Sequence, residues 1–191
     1  MAKSLILANG NILVGLNQSG FVSDFFFPYV GVENHVRGEA HRIGVWQHGK
    51  LSWLDSDEWK VEIDLDKDTF VGIMKCFNKH TNLELHFVNA VYNEKNIFLR
   101  EVTVVNHGEH TEDIKIFFHQ VFCIYGTPQE DTAYYDPVKN TLIHYEGRRV
   151  FLIYGETSDI PFNDYTVGLY GIEGREGTFK DAEDGFLSKN N

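Results

Sequence analysis

The feature that most constrains this chain is a two-residue alternation of apolar and polar side chains, broken at short intervals by turn-forming residues. From Trp59 to Leu65 every second residue is apolar, and charged residues lie between them. Similar alternation recurs over 83–87 and 113–119. This period is typical of β-strands with one face in the core and the other in water. The sequence therefore predicts a chain built from strands.

Glycine- and asparagine-containing turns separate the apolar runs. They are Asn9-Gly10, Ser19-Gly20, His48-Gly49, Lys79 to Asn82, Asn93 to Asn96, His107-Gly108 and Glu146-Gly147. Their spacing favours antiparallel hairpins, and no segment before Lys180 carries a sustained helical stripe. So many strands predict an all-β fold of two large stacked antiparallel sheets, with residues 1–191 forming a single domain.

Charge and cysteine content exclude several classes of protein. Lys and Arg total 17 against 28 Asp and Glu, a formal charge of -11, which repels nucleic acids and anionic membranes. The apolar stretch Leu5 to Ala8 is too short for a signal-peptide core or a membrane span, so we expect a cytoplasmic protein. Cys76 and Cys123 lie in strand-like runs and are expected to be reduced, buried thiols, although a cross-link stays open if their strands adjoin.

No familiar catalytic or metal-binding motif is present. The sequence lacks GxSxG, Walker, GxGxxG and HExxH patterns. Asp64, Asp66 and Asp68 resemble the start of a calcium loop but lack its glycine at position six and its glutamate at position twelve. His107 and His110 have no third ligand nearby in sequence. We therefore predict no catalytic residue, no metal site and no cofactor.

An acidic cluster lies beside two tryptophans. Asp55, Asp57 and Glu58 stand between Trp53 and Trp59, a composition that superficially suits a sugar site. Glycoside hydrolysis, however, needs two carboxyl groups on opposite sides of the scissile bond. Neighbours on one loop do not straddle a sugar ring, so a solvated turn is the favoured interpretation.

The aromatic residues of the first third of the chain are the candidates for a contact surface. Most are expected in the core, but three consecutive phenylalanines on a strand do not all face one side. At least one of Phe25 to Phe27 therefore points toward a second layer or a partner. The candidate residues for a domain interface or a sugar-binding rim are Phe25, Phe26, Phe27, Tyr29, Trp46 and Trp53.

A series of segments carries a family resemblance. In chain order they read GNILVGLNQSGFVSDFFFPYVG, HRIGVWQHGKLSWLDSDEW, NIFLREVTVVNHGEHTEDIKIFFHQVF, TAYYDPVKNTLIHYEGRRVFLIYG and KDAEDGFLSKN. Together they resemble the N-terminal β domain of prokaryotic family 15 glycoside hydrolases, which include glucoamylase, glucodextranase and trehalase types. The resemblance extends over essentially the whole chain.

The resemblance implies a two-sheet super-sandwich joined to a catalytic (α/α)6 barrel. That barrel removes α-linked glucose with inversion, and its glutamates are the general acid and base. The barrel segments are not in this sequence, so no catalytic residue carries over and we expect the chain alone to be inactive. We also expect it to lack the last strands of the domain. The implied partner is the barrel of the same parent protein and, through it, an α-glucan or trehalose.

Two alternative functions stay open. The chain would be a stand-alone carbohydrate-binding module if three of its aromatic residues lay coplanar and exposed. It would be a mutarotase-like sugar epimerase if a histidine and a carboxylate converged, for which His86 and Glu101 are the scattered candidates.

Overall fold

The strands predicted from the alternation are present, and the structure has strands between residues 5 and 161. A computed structural model describes residues 4–36, 38–127, 130–162, 164–169, 178 and 180–191. Within these ranges there are fifteen strands: β1 (Leu5–Ala8), β2 (Leu13–Leu16), β3 (Val22–Phe26), β4 (Arg42–Gln47), β5 (Lys50–Trp53), β6 (Trp59–Leu65), β7 (Val71–Asn78), β8 (Leu83–Val91), β9 (Phe98–Asn106), β10 (Ile114–His119), β11 (Thr132–Asp136), β12 (Thr141–Glu146), β13 (Arg149–Ile153), β14 (Glu156–Thr157) and β15 (Ile160–Pro161).

Helical structure in the described ranges is limited to one 3₁₀ turn, Ile124–Gly126. None of the helical structure found there has the length and apolar character needed to cross a bilayer. Each turn predicted from the sequence falls at or next to a strand end. At His48-Gly49 both residues have positive φ, 52° and 76°, as a two-residue type I′ hairpin requires.

Every strand pairing is antiparallel, which confirms the predicted all-β class. Sheet A has the order β1-β2-β3, sheet B β10-β4-β5, sheet C β6-β7-β8-β9, sheet D β11-β12-β13, and sheet E β14-β15. The two large continuous sheets of a super-sandwich are not confirmed, because hydrogen bonding divides the described strands among these five smaller sheets. A single bridge between Val22 and His41 links the edges of sheets A and B.

Sheets A and B pack side by side on one face of sheet C. At one end of that face, Ile43 and Val45 of sheet B contact Met74, Cys76 and other inward residues of sheet C. At the other end, sheet A forms a second cluster; its sheet A members include Leu5, Leu7, Val14 and Leu16, and its sheet C members are Val91, Ile63 and Phe98. Gly72 allows the close approach of Leu5, since a Cβ at position 72 would lie 2.0 Å from Leu5 Cδ2.

Alternation identified the buried face of β6 and β8 but was wrong at the end of β10. Ile114 and Ile116 face the core as predicted, whereas Phe118 is 45% exposed and Phe117 is buried. Phe117 lies on the outer face of sheet B, in register with Gly44. That face also carries tryptophans, so it is not the solvent face that simple alternation assumes.

Both cysteines are free and buried, as predicted. Burial raises the pKa of the Cys76 thiol to about 12, so it stays protonated and unreactive at neutral pH.

A partly buried arginine connects sheet C to the β2–β3 turn. Arg100 on β9 donates from Nε to Asn89 Oδ1 (2.7 Å) and from Nη2 to the Gly20 carbonyl (2.9 Å). Its guanidinium also lies 5.6 Å from the centre of the Phe87 ring and 5.3 Å from that of Phe98. Burial lowers the Arg100 pKa to about 10, which still leaves the side chain charged at neutral pH. The charge is held by neutral oxygens and aromatic faces.

Arg100→Met should destabilise the fold. It leaves Asn89 Oδ1 and the Gly20 carbonyl unpaired, and each buried acceptor without a donor costs about 1–3 kcal/mol. Urea unfolding of the chain measures the loss, and Arg100→Lys, which keeps the charge but not the fork of donors, should fall between Met and wild type. If Arg100→Met were as stable as wild type, the free energy lost by desolvating the guanidinium would equal the free energy gained from its hydrogen bonds.

Candidate functional site

The six candidate contact residues lie in two separate regions. Phe25, Phe26, Phe27 and Tyr29 lie on β3 and the loop after it, whereas Trp46 and Trp53 lie on sheet B. Phe25 and Phe27 contact sheet D, and Phe26, between them, pairs with Leu13 in β2 and bridges to Asn34.

Phe25 and Phe27 belong to the contact between sheets A and D. The Phe25 ring lies edge-on to Phe151 (5.5 Å between ring centres) and to Phe122 (6.1 Å), and Phe27 lies edge-on to Phe151 (6.2 Å). Phe122 and Phe151 stack at 4.7 Å. These distances are typical of favourable aromatic pairs. Both candidate phenylalanines therefore hold two sheets of the chain together.

Three histidines complete this contact, which we call the aromatic joint (Phe25, Phe27, His35, His41, Phe122, His144 and Phe151). The His35 ring centre lies 4.9 Å from that of Phe151, and His41 and His144 lie 4.7 and 4.8 Å from Phe122. The histidines act here largely as aromatic core residues.

His35 also fixes the backbone around it. Its Nε2 donates to the Phe27 carbonyl (2.5 Å), and its Nδ1 accepts from the Tyr125 amide (3.3 Å). Its own carbonyl accepts from the Cys123 amide at 2.7 Å. Tyr125 has a φ of 56°, a left-handed conformation that is uncommon outside glycine. The bond to His35 helps to hold that strained residue.

Burial keeps the joint histidines neutral. It lowers the pKa of His41 to about 3 and that of His144 to about 4, and it lowers the pKa of His35. Groups with such values do not exchange protons efficiently near neutral pH. The joint is thus suited to packing rather than to general acid or base catalysis.

Asp131 lies beside the joint. Burial raises its pKa to about 6, although the Ile124 amide donates to both of its carboxylate oxygens (3.2 and 3.0 Å). The carboxylate therefore anchors the backbone of the 3₁₀ turn.

Trp53 and Trp46 are half-buried against their own chain. Trp53 lies across Gly44, where a Cβ would lie 2.9 Å from its Cε3. Trp46 lies against Gly185, where a Cβ would lie 2.5 Å from its Cε2, and its ring centre is 5.2 Å from Lys115 Nζ. Phe25 and Phe27 lie edge-on in the joint, and Trp46 and Trp53 are half-buried, so the six candidates do not present a coplanar, exposed trio.

Tyr29 is the exception among the candidates, because 60% of it is exposed. It belongs to the Tyr29 loop (residues 28–33), which also exposes Val30 and Val32. The loop is well anchored: the Tyr29 carbonyl accepts from the amides of Val32 (3.0 Å) and Glu33 (3.1 Å). Glu33 in turn accepts two hydrogen bonds from Arg149 at 2.8 and 3.0 Å. The loop thus presents apolar side chains to solvent on a fixed support.

Tyr125 is a further exposed aromatic residue, connected to the Tyr29 loop through Arg149. It is 43% exposed, and the Arg149 guanidinium lies 5.3 Å from the centre of its ring. Arg149 therefore contacts both Tyr125 and Glu33. We call the surface formed by Tyr29, Val30, Val32 and Tyr125 the docking surface.

The acidic candidates do not converge. Asp55 lies 4.0 Å from Arg42, Glu58 pairs with Lys50, and Asp57 is exposed. His86 and Glu101 lie on the open outer face of sheet C, where His86 Nε2 is 2.7 Å from Glu84. Across the parts of the chain that the structure describes, no group of three His, Cys, Asp or Glu residues is arranged to hold a metal.

A polar pocket that the sequence pattern did not predict lies between sheets B and C. It has a volume of about 380 Å³ and lies between the β4–β5 and β7–β8 hairpins. We call it the hairpin pocket; its polar lining includes Gln47, Lys50, Ser52, Glu58, Asn78 and Thr81. The one hint of this pocket in the sequence is Gln47, a polar residue two positions after Val45 and therefore at an inward position of β4.

Stability should fall as the pH is lowered below about 6.5. His41, His119 and His144 have folded-state pKa values of about 3, 4 and 4, below their ordinary value of 6.5, so the unfolded chain binds more protons across this window. The free energy of unfolding then decreases with decreasing pH, by up to about 1.4 kcal/mol per pH unit for each histidine. Asp131 has the opposite effect: its pKa is raised to about 6 in the folded chain, so its protonation stabilises the fold as the pH falls, but it is one group against three histidines.

His41→Gln tests this dependence. The glutamine amide can still donate to the Val121 carbonyl, as His41 Nε2 does at 3.0 Å, but it does not titrate. Urea unfolding between about pH 7 and pH 5 should give a slope shallower by about one proton. The same substitution at His110, in an exposed turn, is the matched control. An unchanged slope in His41→Gln would show that the pKa of His41 is the same in the folded and the unfolded chain.

Comparison with known proteins relates the chain to a glycosyl hydrolase. The chain is similar to an uncharacterized glycosyl hydrolase of Methanocaldococcus jannaschii, with 24% identity over 148 residues. That alignment covers 78% of this chain and 23% of the hydrolase, so the chain spans about a quarter of the length of the curated relative it matches. No family model and no solved structure matches the chain. Over most of its length, the chain is a distant homologue of a glycosyl hydrolase.

Proposed function

We propose that this chain is the non-catalytic N-terminal β module of a family 15 type glycoside hydrolase, where it packs on and supports a catalytic (α/α)6 barrel. The observation that carries the proposal is the alignment, which covers most of this chain but 23% of a glycosyl hydrolase. The all-β architecture and the ordered series of segments from residue 10 to residue 190 also support it. The substrate of the whole enzyme would be an α-glucoside such as an α-glucan or trehalose.

Three carboxylates of the chain have structural partners, which favours a supporting role for them over a catalytic one. Glycoside hydrolysis uses an acid and a second carboxylate about 5–9.5 Å apart on either side of the bond. In the described ranges, Glu33 is held by Arg149, Glu58 by Lys50, and Asp131 by the Ile124 amide. Each of these carboxylates is already engaged by the chain's own structure.

The docking surface is the region best suited to contact the barrel. Tyr29 and Val32 are 60% and 77% exposed, yet their loop is fixed by backbone hydrogen bonds and by the Glu33–Arg149 pair. Aromatic residues on a rigid support are enriched in protein interfaces. Fixing the loop in advance also reduces the entropy lost on contact.

The double variant Tyr29→Ser, Val32→Ser tests the docking surface in the full-length parent enzyme. We expect its Tm to fall because the contact between the module and the barrel is weakened, while the Tm of the isolated chain stays unchanged. Calorimetry on both forms separates an interface effect from a folding effect. Val138→Ser, at an 89% exposed valine in the β11–β12 turn, is the matched control.

Two results would contradict the proposal. If the double variant and the control lowered the Tm of the full-length enzyme equally, the docking surface would not face the barrel. If the parent enzyme hydrolysed none of maltose, dextran and trehalose, its assignment as an α-glucoside hydrolase would be wrong.

A further inference from the structure

We propose that Asp131 and Glu146 share one proton, and that this proton holds the end of the β12–β13 hairpin against the 3₁₀ turn that carries Tyr125. The two residues are called the carboxyl pair below. The inference does not depend on the proposed function, because it rests on contacts inside the chain and is tested on the chain alone.

The carboxyl pair lies at one end of sheet D. Asp131 comes one position before the start of β11, and Glu146 is the last residue of β12. Since Thr132 pairs with Tyr145, the next positions of the two strands, 131 and 146, oppose each other. A hydrogen bond joins the side chains of Asp131 and Glu146.

The bond within the carboxyl pair requires a proton on one of its members, because ionised carboxylates only accept hydrogen bonds. Glu146 Oε2 is buried and has no hydrogen-bond partner within the described structure. Two donors at this end of sheet D are already used. The Ile124 amide donates to both oxygens of Asp131 (3.2 and 3.0 Å), and Arg149 donates to Glu33 (2.8 and 3.0 Å). A proton carried by Asp131 can supply the donor that Glu146 lacks.

The groups around the carboxyl pair also favour a proton there. They are His144 and Arg149 on the same face of sheet D, Glu33 and His35 from the segment after β3, Tyr125 from the 3₁₀ turn, and the exposed Glu130 and Arg148 of the adjoining turns. Arg149 is engaged by Glu33, and burial lowers the pKa of both His35 and His144, which keeps them neutral. Burial raises the pKa of Asp131 to about 6, and Glu146 adds to the rise.

The carboxyl pair joins two segments that also pack on each other. The ring of Tyr125 lies over Gly147, where a Cβ would be 3.5 Å from Tyr125 Cε2. The Arg149 guanidinium lies 5.3 Å from the centre of the same ring. On the other side of the contact, the Ile124 amide binds Asp131. The hairpin end (residues 146–149) and the 3₁₀ turn therefore separate only if the bond within the pair and these contacts open together.

Loss of the shared proton weakens this contact. Two adjacent carboxylates repel each other, and a charged Glu146 competes with Glu33 for Arg149, its partner in the register of β12 and β13. Because Arg149 also packs on Tyr125, its movement toward Glu146 loosens the 3₁₀ turn.

The contact should be closed at low pH and open at higher pH. A carboxyl group whose pKa is raised on folding stabilises the folded form fully below its unfolded pKa and loses this contribution as the pH rises through its folded pKa. For Asp131 these values are 3.8 and about 6. The direction is opposite to that of the joint histidines, so a local measurement distinguishes the two effects.

Carboxyl ¹³C NMR of the chain between about pH 3 and pH 8 tests the shared proton. Asp131 should titrate near pH 6, and the Glu146 signal should move in the same step. In Glu146→Gln the amide can donate to Asp131 in place of the proton, so Asp131 should titrate at or below its ordinary value of 3.8. Glu109→Gln makes the same change in an exposed turn and should leave the Asp131 titration as in wild type.

Hydrogen exchange of the Tyr125 amide, corrected for the intrinsic effect of pH on exchange, tests the contact itself. In wild type its protection should fall several-fold between about pH 5 and pH 7.5, whereas that of the Met74 amide in β7 should not fall. In Glu146→Gln the Tyr125 amide should stay protected over this range, because the amide of Gln keeps the bond to Asp131 at every pH. In Glu146→Ala it should be weakly protected throughout.

Three results would overturn the proposal. If Asp131 titrated at its ordinary value, the pair would hold no proton. If Glu146→Gln left the Asp131 titration unchanged, burial alone would explain it and no proton would be shared. If the protection of Tyr125 were independent of pH in wild type, or fell equally in Glu146→Gln, the proton would not hold the turn.

Asp131→Asn repeats the exchange test if Glu146→Gln fails to fold. Its side-chain amide can donate to Glu146, and its Oδ1 can still accept from the Ile124 amide. The Tyr125 amide should again stay protected from about pH 5 to pH 7.5. A fall as large as in wild type would contradict the proposal.

Discussion

The packing of two sheets on one face of sheet C determines the rest of the structure. Sheet A covers the end near Val91 and Phe98, and sheet B covers the end near Met74 and Leu85. The contact with sheet C buries only one face of sheet A and one face of sheet B. Each of these two sheets also carries large side chains on its other face. Sheet A uses those side chains to bind sheet D, and sheet B uses them to cover its own outer face. The chain is therefore layered, with sheet C as its base.

In the aromatic joint, histidine rings help to pack sheet D on sheet A. His35, His41 and His144 pack like phenylalanines while they are neutral. Ring nitrogens of His35 and His41 also form hydrogen bonds with nearby backbone groups. The same contact is closed at its rim by Arg149, which reaches from sheet D to Glu33. The Arg149–Glu33 pair therefore holds the Tyr29 loop against sheet D.

The elements that depend on local sequence were predictable, and those that depend on a second layer were not. Alternation and turn residues located strands such as β6 and the His48-Gly49 hairpin because period and positive φ are local properties. Phe117 and Phe118 reversed the expectation, since the burial of sheet B's outer face depends on Trp46 and Trp53 from other strands. Phe25 and Phe27 were predicted to belong to a domain interface or a sugar-binding rim. In the structure they pack on Phe151, which is more than a hundred residues away in sequence. The hairpin pocket was missed because a single inward glutamine is a weak signal until its unpaired amide is seen.

Four described glycines each make room for a large side chain from another part of the chain: Gly20 for Met74, Gly44 for Trp53, Gly72 for Leu5 and Gly185 for Trp46. Any side chain at one of these positions would collide with its partner, so the two members of each pair are not free to vary independently. During divergence, a gain of volume at the glycine requires a loss of volume at the partner. In relatives as distant as 24% identity, these coupled positions should be retained or exchanged together, and they offer a way to recognise the fold where overall similarity has been lost.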